Sequence, residues 1–174
     1  MKKIISLLAF LFVIGVFVRS QEKEKDLNIR QAKGASSVNI AFVMQVGDSN
    51  YASIKQEGVN NDASVYQNGQ GNKALVEHQG DGNYTLITQN GNNNNAVSEL
   101  DGGQLDVINQ QGNNNSNQLI KLGQAKHGAE STFIQQGNGH SVTYVQYEGA
   151  TGVKVEQKGN AGSVLIKQGR IGSF

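Results

Sequence analysis

Asn61-Asp62-Ala63-Ser64-Val65-Tyr66-Gln67-Asn68-Gly69-Gln70-Gly71 is one pass of a pattern that returns along most of the chain. Eleven residues earlier the order is Asn50-Tyr51-Ala52-Ser53-Ile54-Lys55-Gln56-Glu57-Gly58. Gly47, Gly58, Gly69, Gly80, Gly91 and Gly102 keep the same interval, and Asn50, Asn61, Asn72, Asn83 and Asn94 follow the first five by three residues. A small residue comes next at Ala52, Ala63, Ala74, Thr85 and Ala96. The branched apolar site follows at Ile54, Val65, Val76 and Ile87, with Ser98 the exception. The last column reads Gln56, Gln67, His78, Gln89 and Leu100. Alternation with period two puts these residues on one face of a strand, and the glycine-centred remainder of each unit suits a turn.

Working outward, the pattern opens at Asn39-Ile40-Ala41-Phe42-Val43-Met44-Gln45 and gives twelve half-repeats, the last ending at Gln168. Odd and even halves drift together, each series stepping by 22, 22, 21, 25 and 22 residues. One deletion near Gly102 and one three-residue insertion near 123–128 account for the drift. The structural unit is therefore a 22-residue rung of two strands and two turns. Stacked rungs build columns. Gln45, Gln67, Gln89, Gln110, Gln135 and Gln157 form an unbroken odd column beside Val43, Val65, Ile87, Ile108, Phe133 and Val155. The even column is looser: Gln56, His78, Leu100, Lys121, Gln146 and Gln168, beside Ile54, Val76, Ser98, Leu119, Tyr144 and Ile166. Asparagines stack as Asn39, Asn61 and Asn83 and as Asn50, Asn72, Asn94 and Asn115, then give way to His140 and Gly162.

Only parallel, in-register stacking brings like onto like. An amide side chain carries two donors and an acceptor oxygen, so identical amides at a strand spacing of ~4.8 Å can bond along the column. Alanine and Val/Ile fill the narrow space between facing sheets, while glycine and the runs Asn92–Asn95 and Asn113–Asn115 suit turns at positive φ. The expected fold is all-β: a parallel β-solenoid, cross-β and amyloid-like, of six strand-turn-strand rungs and roughly 29 Å tall. Outward positions are mixed, except that Ile40, Phe42 and Met44 all point outward from the first strand, either beneath the leader or as a contact for a neighbouring molecule. No capping segment is recognised at either end of the array, and uncapped solenoid ends template further strands. End-to-end addition is the expectation.

Composition agrees with a body of paired strands. The chain has 174 residues, 22 of them glycine, with no proline or cysteine and only 6% aromatics. Proline cannot donate to a ladder, and the lack of cysteine removes disulfides and thiolate metal sites. Met1-Lys2-Lys3 followed by the apolar run Ile4–Val18 reads as a signal peptide over residues 1–20. That run is short of the ~20 residues a membrane span needs. Without Lys2, Lys3 and Arg19 the formal charge of +1 becomes about −2, which argues against a nucleic-acid partner. Residues 21–36 are polar and charge-dense, a flexible leader that could also serve as a tag for an export channel. Residues 37–170 hold the repeats, and 171–174 are a short tail.

The unit Asn-x-Ala-x-Val-x-Gln-x-Gly-x-x-Asn, as at 61–72 and 50–61, resembles the curlin repeat of bacterial curli fibres. The resemblance spans about residues 37–170, strongest through Gln89. It implies an exported protein that crosses the outer membrane through a dedicated pore with accessory proteins. It also implies polymerisation on the cell surface into an amyloid that serves adhesion and biofilm matrix. Its implied partners are copies of itself and another curlin subunit, major or nucleating. By the same resemblance, the export tag falls within residues 21–36. Leu100, Lys121 and Asp106 depart from the family pattern, and the basic last rungs carry Lys154, Lys158, Lys167 and Arg170.

No catalytic constellation is found. His78, His127 and His140 lie far apart in register, which argues against a metal cluster, and no cofactor motif occurs. Gly102-Gly103-Gln104-Leu105-Asp106 resembles a calcium-binding nonapeptide, but a β-roll needs that motif repeated. A monomeric β-solenoid adhesin is the rival reading. Such proteins regularise an outward face, whereas here the regular positions point inward.

Overall fold

Alternation at period two becomes strands in the structure, a computed structural model that describes residues 16–18, 26–31, 38–121 and 129–169. Among these residues there are fourteen strands in two parallel sheets. The odd sheet holds β1 (Val16–Val18), β3 (Ile40–Val46), β5 (Asp62–Asn68), β7 (Tyr84–Asn90), β9 (Leu105–Gln111), β11 (Glu130–Asn138) and β13 (Lys154–Asn160), neighbours in that order. The even sheet holds β2 (Asp26–Gln31), β4 (Tyr51–Gln56), β6 (Lys73–Gln79), β8 (Asn95–Asp101), β10 (Ser116–Lys121), β12 (Ser141–Gln146) and β14 (Ser163–Gln168). The chain alternates between sheets at every turn, so six full rungs run from β3 to β14, as the repeat requires.

Register follows the columns read from sequence. Val43 pairs with Val65, Val65 with Ile87, Ile87 with Ile108, Ile108 with Phe133 and Phe133 with Val155. Each strand buries alternate residues, β5 for example burying Ala63, Val65 and Gln67 and turning Asp62, Ser64 and Tyr66 outward. The core is the slot between the sheets, filled by small and branched residues that let two flat sheets approach. The fifth rung departs from this. Phe133 and Tyr144, both fully buried, meet across the slot with ring centroids 5.6 Å apart.

The turns depend on glycine at identifiable points. Gly69 has φ +124°, and a Cβ there would lie 2.0 Å from the carbonyl oxygen of Gly91 in the rung above. The left-handed conformation and the backbone stacking both exclude a side chain. Gly47, Gly58, Gly80 and Gly91 share positive φ, and Asn93 and Asn114 in the asparagine runs adopt it as well.

Two strands precede the array recognised from sequence. β2 lies within the segment assigned to the leader and pairs with β4: Leu27 with Ala52, Ile29 with Ile54 and Gln31 with Gln56. Its pattern escaped the periodicity because Gln31 lies 25 residues before Gln56, and Lys25 and Lys33 stand where the repeat has its asparagine and glycine. β1, in the apolar run read as a signal peptide, pairs Val16 with Val43 and Val18 with Gln45. The rest of that run, the remainder of the proposed export tag, the insertion with His127 and the tail from Arg170 lie outside the described residues.

Candidate functional site

The glutamines of the odd column are buried and bonded in series. Nε2 of Gln45 donates to Oε1 of Gln67 at 2.8 Å, and the chain continues through Gln89, Gln110, Gln135 and Gln157 at 2.8–3.0 Å. The second Nε2 hydrogen crosses the slot. Gln67 donates to the carbonyl of Tyr51, Gln89 to Lys73, Gln110 to Asn95 and Gln135 to Ser116. Each interior glutamine thus spends both donors, one along the stack and one between the sheets. Burial of a polar column is tolerated when its donors and acceptors are satisfied in this way.

The asparagines use a different geometry. Oδ1 of Asn50 accepts from both the backbone N–H and the side-chain amide of Asn72, at 3.0 and 3.1 Å. Asn72 serves Asn94 in the same way. Their Nδ2 groups also reach turn carbonyls, Asn50 to Gly69 and Asn72 to Gly91. In the odd sheet Asn39 accepts from Asn61 and Asn61 from Asn83. The asparagine columns therefore tie each turn to the next while the glutamine column ties the strands. His140 continues the even column after Asn115. Its backbone N–H donates to Asn115, Nδ1 accepts from the N–H of Gly162, and Nε2 meets the carbonyl of Gly159 at 3.0 Å. An imidazole with its proton on Nε2 meets those partners as an asparagine amide would.

A second amide ladder lies on the outside of one turn and was not singled out from sequence. Oδ1 of Asn92 accepts from Gln70 N–H, Oδ1 of Asn113 from Asn92 N–H and Oδ1 of Asn138 from Asn113 N–H, at 2.8–3.0 Å. The signal was present: the runs Asn92–Asn95 and Asn113–Asn115 stand one rung apart.

From Gln56 onward the even column is not a ladder. Gln56 donates to the carbonyl of Ile40, Leu100 is buried without a polar group, and the hydroxyl of Tyr144 lies 2.9 Å from Oε1 of Gln146 and 3.2 Å from Oε1 of Gln168, with one hydrogen to donate. Between them lies a buried polar chain. Nε2 of His78 meets the hydroxyl of Thr85 at 2.8 Å, Thr85 meets Ser98 at 3.2 Å, and Ser98 donates to Asp106 at 3.1 Å. Lys121 closes the chain with an ion pair to Asp106, and both side chains are wholly buried. Burial pushes the Asp106 carboxyl above the usual carboxylate range, against the pull of the Lys121 ammonium and the Ser98 hydroxyl. Burial lowers the His78 imidazole to about 4. Every member of this chain is a departure from the repeat, and the departures adjoin in space. Asp106, the acid of the calcium-like motif, is thus committed to Lys121 inside the slot. Asn117 is a further departure, at an alanine position, with both amide atoms buried and no hydrogen-bond partner.

The remaining positions singled out from sequence also lie in the slot. Val43, Ile54, Val65, Val76, Ile87 and Ile108 belong to the apolar core, and Asn39, Asn83, Asn94 and Asn115 are buried. Gln168, on the last strand, is half-buried. Among the described residues there is no group of three or more His, Asp or Glu side chains able to hold a metal ion.

The architecture defines a class: a two-sheet parallel β-solenoid whose interior carries in-register amide ladders. Within it, residues 58–89 match the family model described as the curlin-associated repeat. A curlin-type repeat therefore occupies β5, β6 and most of β7. Neither the curated proteins nor the solved structures give a match.

Proposed function

We propose that this chain is an exported structural subunit that adds end to end into a curli-like amyloid fibre. On the cell surface such a fibre serves adhesion and biofilm matrix. The observation that carries the reading is the glutamine ladder, continuous from Gln45 to Gln157 in sheets whose strands are all parallel and in register. A ladder of identical residues has no internal reason to stop, since the next identical rung is equally well bonded. The last rung supports the same reading. Val164, Ile166 and Gln168 are half-exposed, whereas their counterparts one rung earlier, Val142, Tyr144 and Gln146, are buried. A rung from a second copy would complete their burial.

Export rests on the basic start and apolar run of residues 1–20, and passage through an outer-membrane pore on the curlin repeats together with the leader of 21–36. A second curlin subunit acting as nucleator, or this chain acting as nucleator for another, belongs to the same proposal. The role we propose is structural, since the positions that the repeat keeps regular are the ladders and apolar columns of the slot.

Purified residues 21–174 are expected to give seeded, concentration-dependent thioflavin fluorescence, unbranched fibres by electron microscopy and a meridional reflection near ~4.8 Å. A persistent soluble monomer with β-rich circular dichroism would instead mark a monomeric solenoid adhesin.

A further inference from the structure

The two outer faces of the solenoid differ. On the odd sheet the outward positions of β3, β5, β7 and β9 carry one charged residue, Asp62. On the even sheet the outward positions of β4, β6, β8 and β10 carry Lys55, Lys73, Glu77, Glu99 and Asp101, with Lys55 paired to Glu77 at 2.8 Å. Nine of the sixteen outward positions on those odd strands are apolar or aromatic, against four of the fourteen on the even strands. Phe42 and Tyr66 lean together with ring centroids 5.3 Å apart. Val38, Ile40, Met44 and Val46 are between 37% and 64% exposed, four of the five large hydrophobic residues exposed in the described protein. Asp62 itself is only part-exposed, with Oδ1 shielded and without a hydrogen-bond partner in the protein.

We propose that this outer face of the odd sheet, centred on Ile40, Phe42, Met44, Tyr66, Leu86 and Val107, is a lateral contact surface whose occupant is the same face of a second copy in a neighbouring fibre. The inference rests on the fibre reading above.

Area decides why the occupant is a fibre. Four rungs at ~4.8 Å and seven residues at ~3.3 Å give a footprint of about 440 Å² per copy. A stable pair of free proteins needs roughly 800 Å² from each partner. One patch is too small, so the soluble chain stays single. In a fibre every subunit repeats the patch, and two fibres need only a few subunits each to exceed that area. The contact is gained by polymerisation, as each added patch incurs no further loss of translational freedom. Flat cross-β faces pair in this way at a sheet separation of about 10 Å. On rungs five and six the same face carries Glu130, Lys154, Glu156 and Lys158. Apolar and charged bands therefore alternate along the fibre, and two fibres meet in the register that sets apolar band against apolar band.

The test compares the full chain with two double variants: Leu86→Lys with Val107→Lys on the odd face, and Leu75→Lys with Val97→Lys on the even face. All four positions point outward, so the lysines need not enter the slot. Sedimentation of the soluble chain is expected to give a monomer, and electron microscopy of its fibres to show paired or bundled filaments. The odd-face variant is expected to grow within about twofold of the parent rate while its paired fraction falls about tenfold, and the even-face variant to pair like the parent. Leu86→Thr with Val107→Thr, which keeps strand propensity, replaces the lysine pair if that pair blocks folding. Single parent filaments, as expected if the leader covers this face, overturn the proposal. Undiminished pairing in the odd-face variant, or equal loss in the even-face variant, also overturns it. Absence of fibres from every chain removes the fibre reading itself, and this inference with it.

Discussion

His78 stands where the repeat asks for glutamine, and the slot holds its imidazole neutral. Burial lowers its pKa from 6.5 to about 4, so the folded chain resists a proton that the unfolded chain accepts near 6.5. Its contribution to stability is complete above that value, erodes as the pH falls and levels off below about 4, a loss of about 3 kcal/mol. His78→Gln is expected to remove this component, so that urea midpoints of parent and variant converge at neutral pH and diverge in favour of the variant near pH ~4.5. Asp106 and Lys121 pose a coupled case. Asp106→Ala leaves a buried ammonium without its carboxylate and is expected to cost ~3–5 kcal/mol in a denaturation experiment. Asp106→Ala combined with Lys121→Gln restores residue types found elsewhere in those columns and is expected to lie within about 1 kcal/mol of the parent. Additive losses would separate the two side chains energetically and contradict the buried pair.

The strand-turn half-rung is the element, and its weak point is the turn. Gly69→Ala meets two obstacles at once, a φ of +124° and a carbonyl 2.0 Å from the new Cβ. Gly149 has a φ of +75° but open space around its Cβ position. The expected loss is therefore at least ~2 kcal/mol for Gly69→Ala and about 1 kcal/mol for Gly149→Ala, read from thermal or urea unfolding. Similar losses would mean that backbone conformation alone, and not the stacking of turns, selects glycine. At the opposite edge, β2 occupies the even-sheet position in front of β4. For a second copy to add at that edge, this strand either gives way or becomes the contact.

At the scale of the whole molecule the ladder predicts how substitutions affect growth. Gln67 accepts from Gln45 and donates to Gln89 and to Tyr51, so Gln67→Ala leaves three buried polar groups without that partner, at ~1–3 kcal/mol each. Leu100→Ala removes apolar volume from the broken even column, at ~2–5 kcal/mol, and leaves no polar group unpaired. Gln67→Ala is expected to slow seeded fibre growth more than Leu100→Ala. Equal or reversed rates would count against the odd column as the template.

Much of this architecture could be read from the residues in order, including the 21- and 25-residue steps, which recur as the separations bonded in the glutamine ladder. Parallel in-register stacking makes this possible, because the repeat along the chain and the column in space are then the same list. What lay across that list was not legible. The second bond of each glutamine, the meeting of His78 with Thr85 and of Lys121 with Asp106, and the orphaned amide of Asn117 depend on the separation of two facing sheets. The period does not encode that distance. Nor did it reveal β2, whose link to the next even half breaks the interval, or the contrast between the two outer faces, which appears only once alternate strands are sorted into separate sheets. The amino-acid order alone thus determined which residues stack, because stacking joins equivalent positions. Tertiary structure decided which residues face one another, because facing joins positions that no repeat makes equivalent.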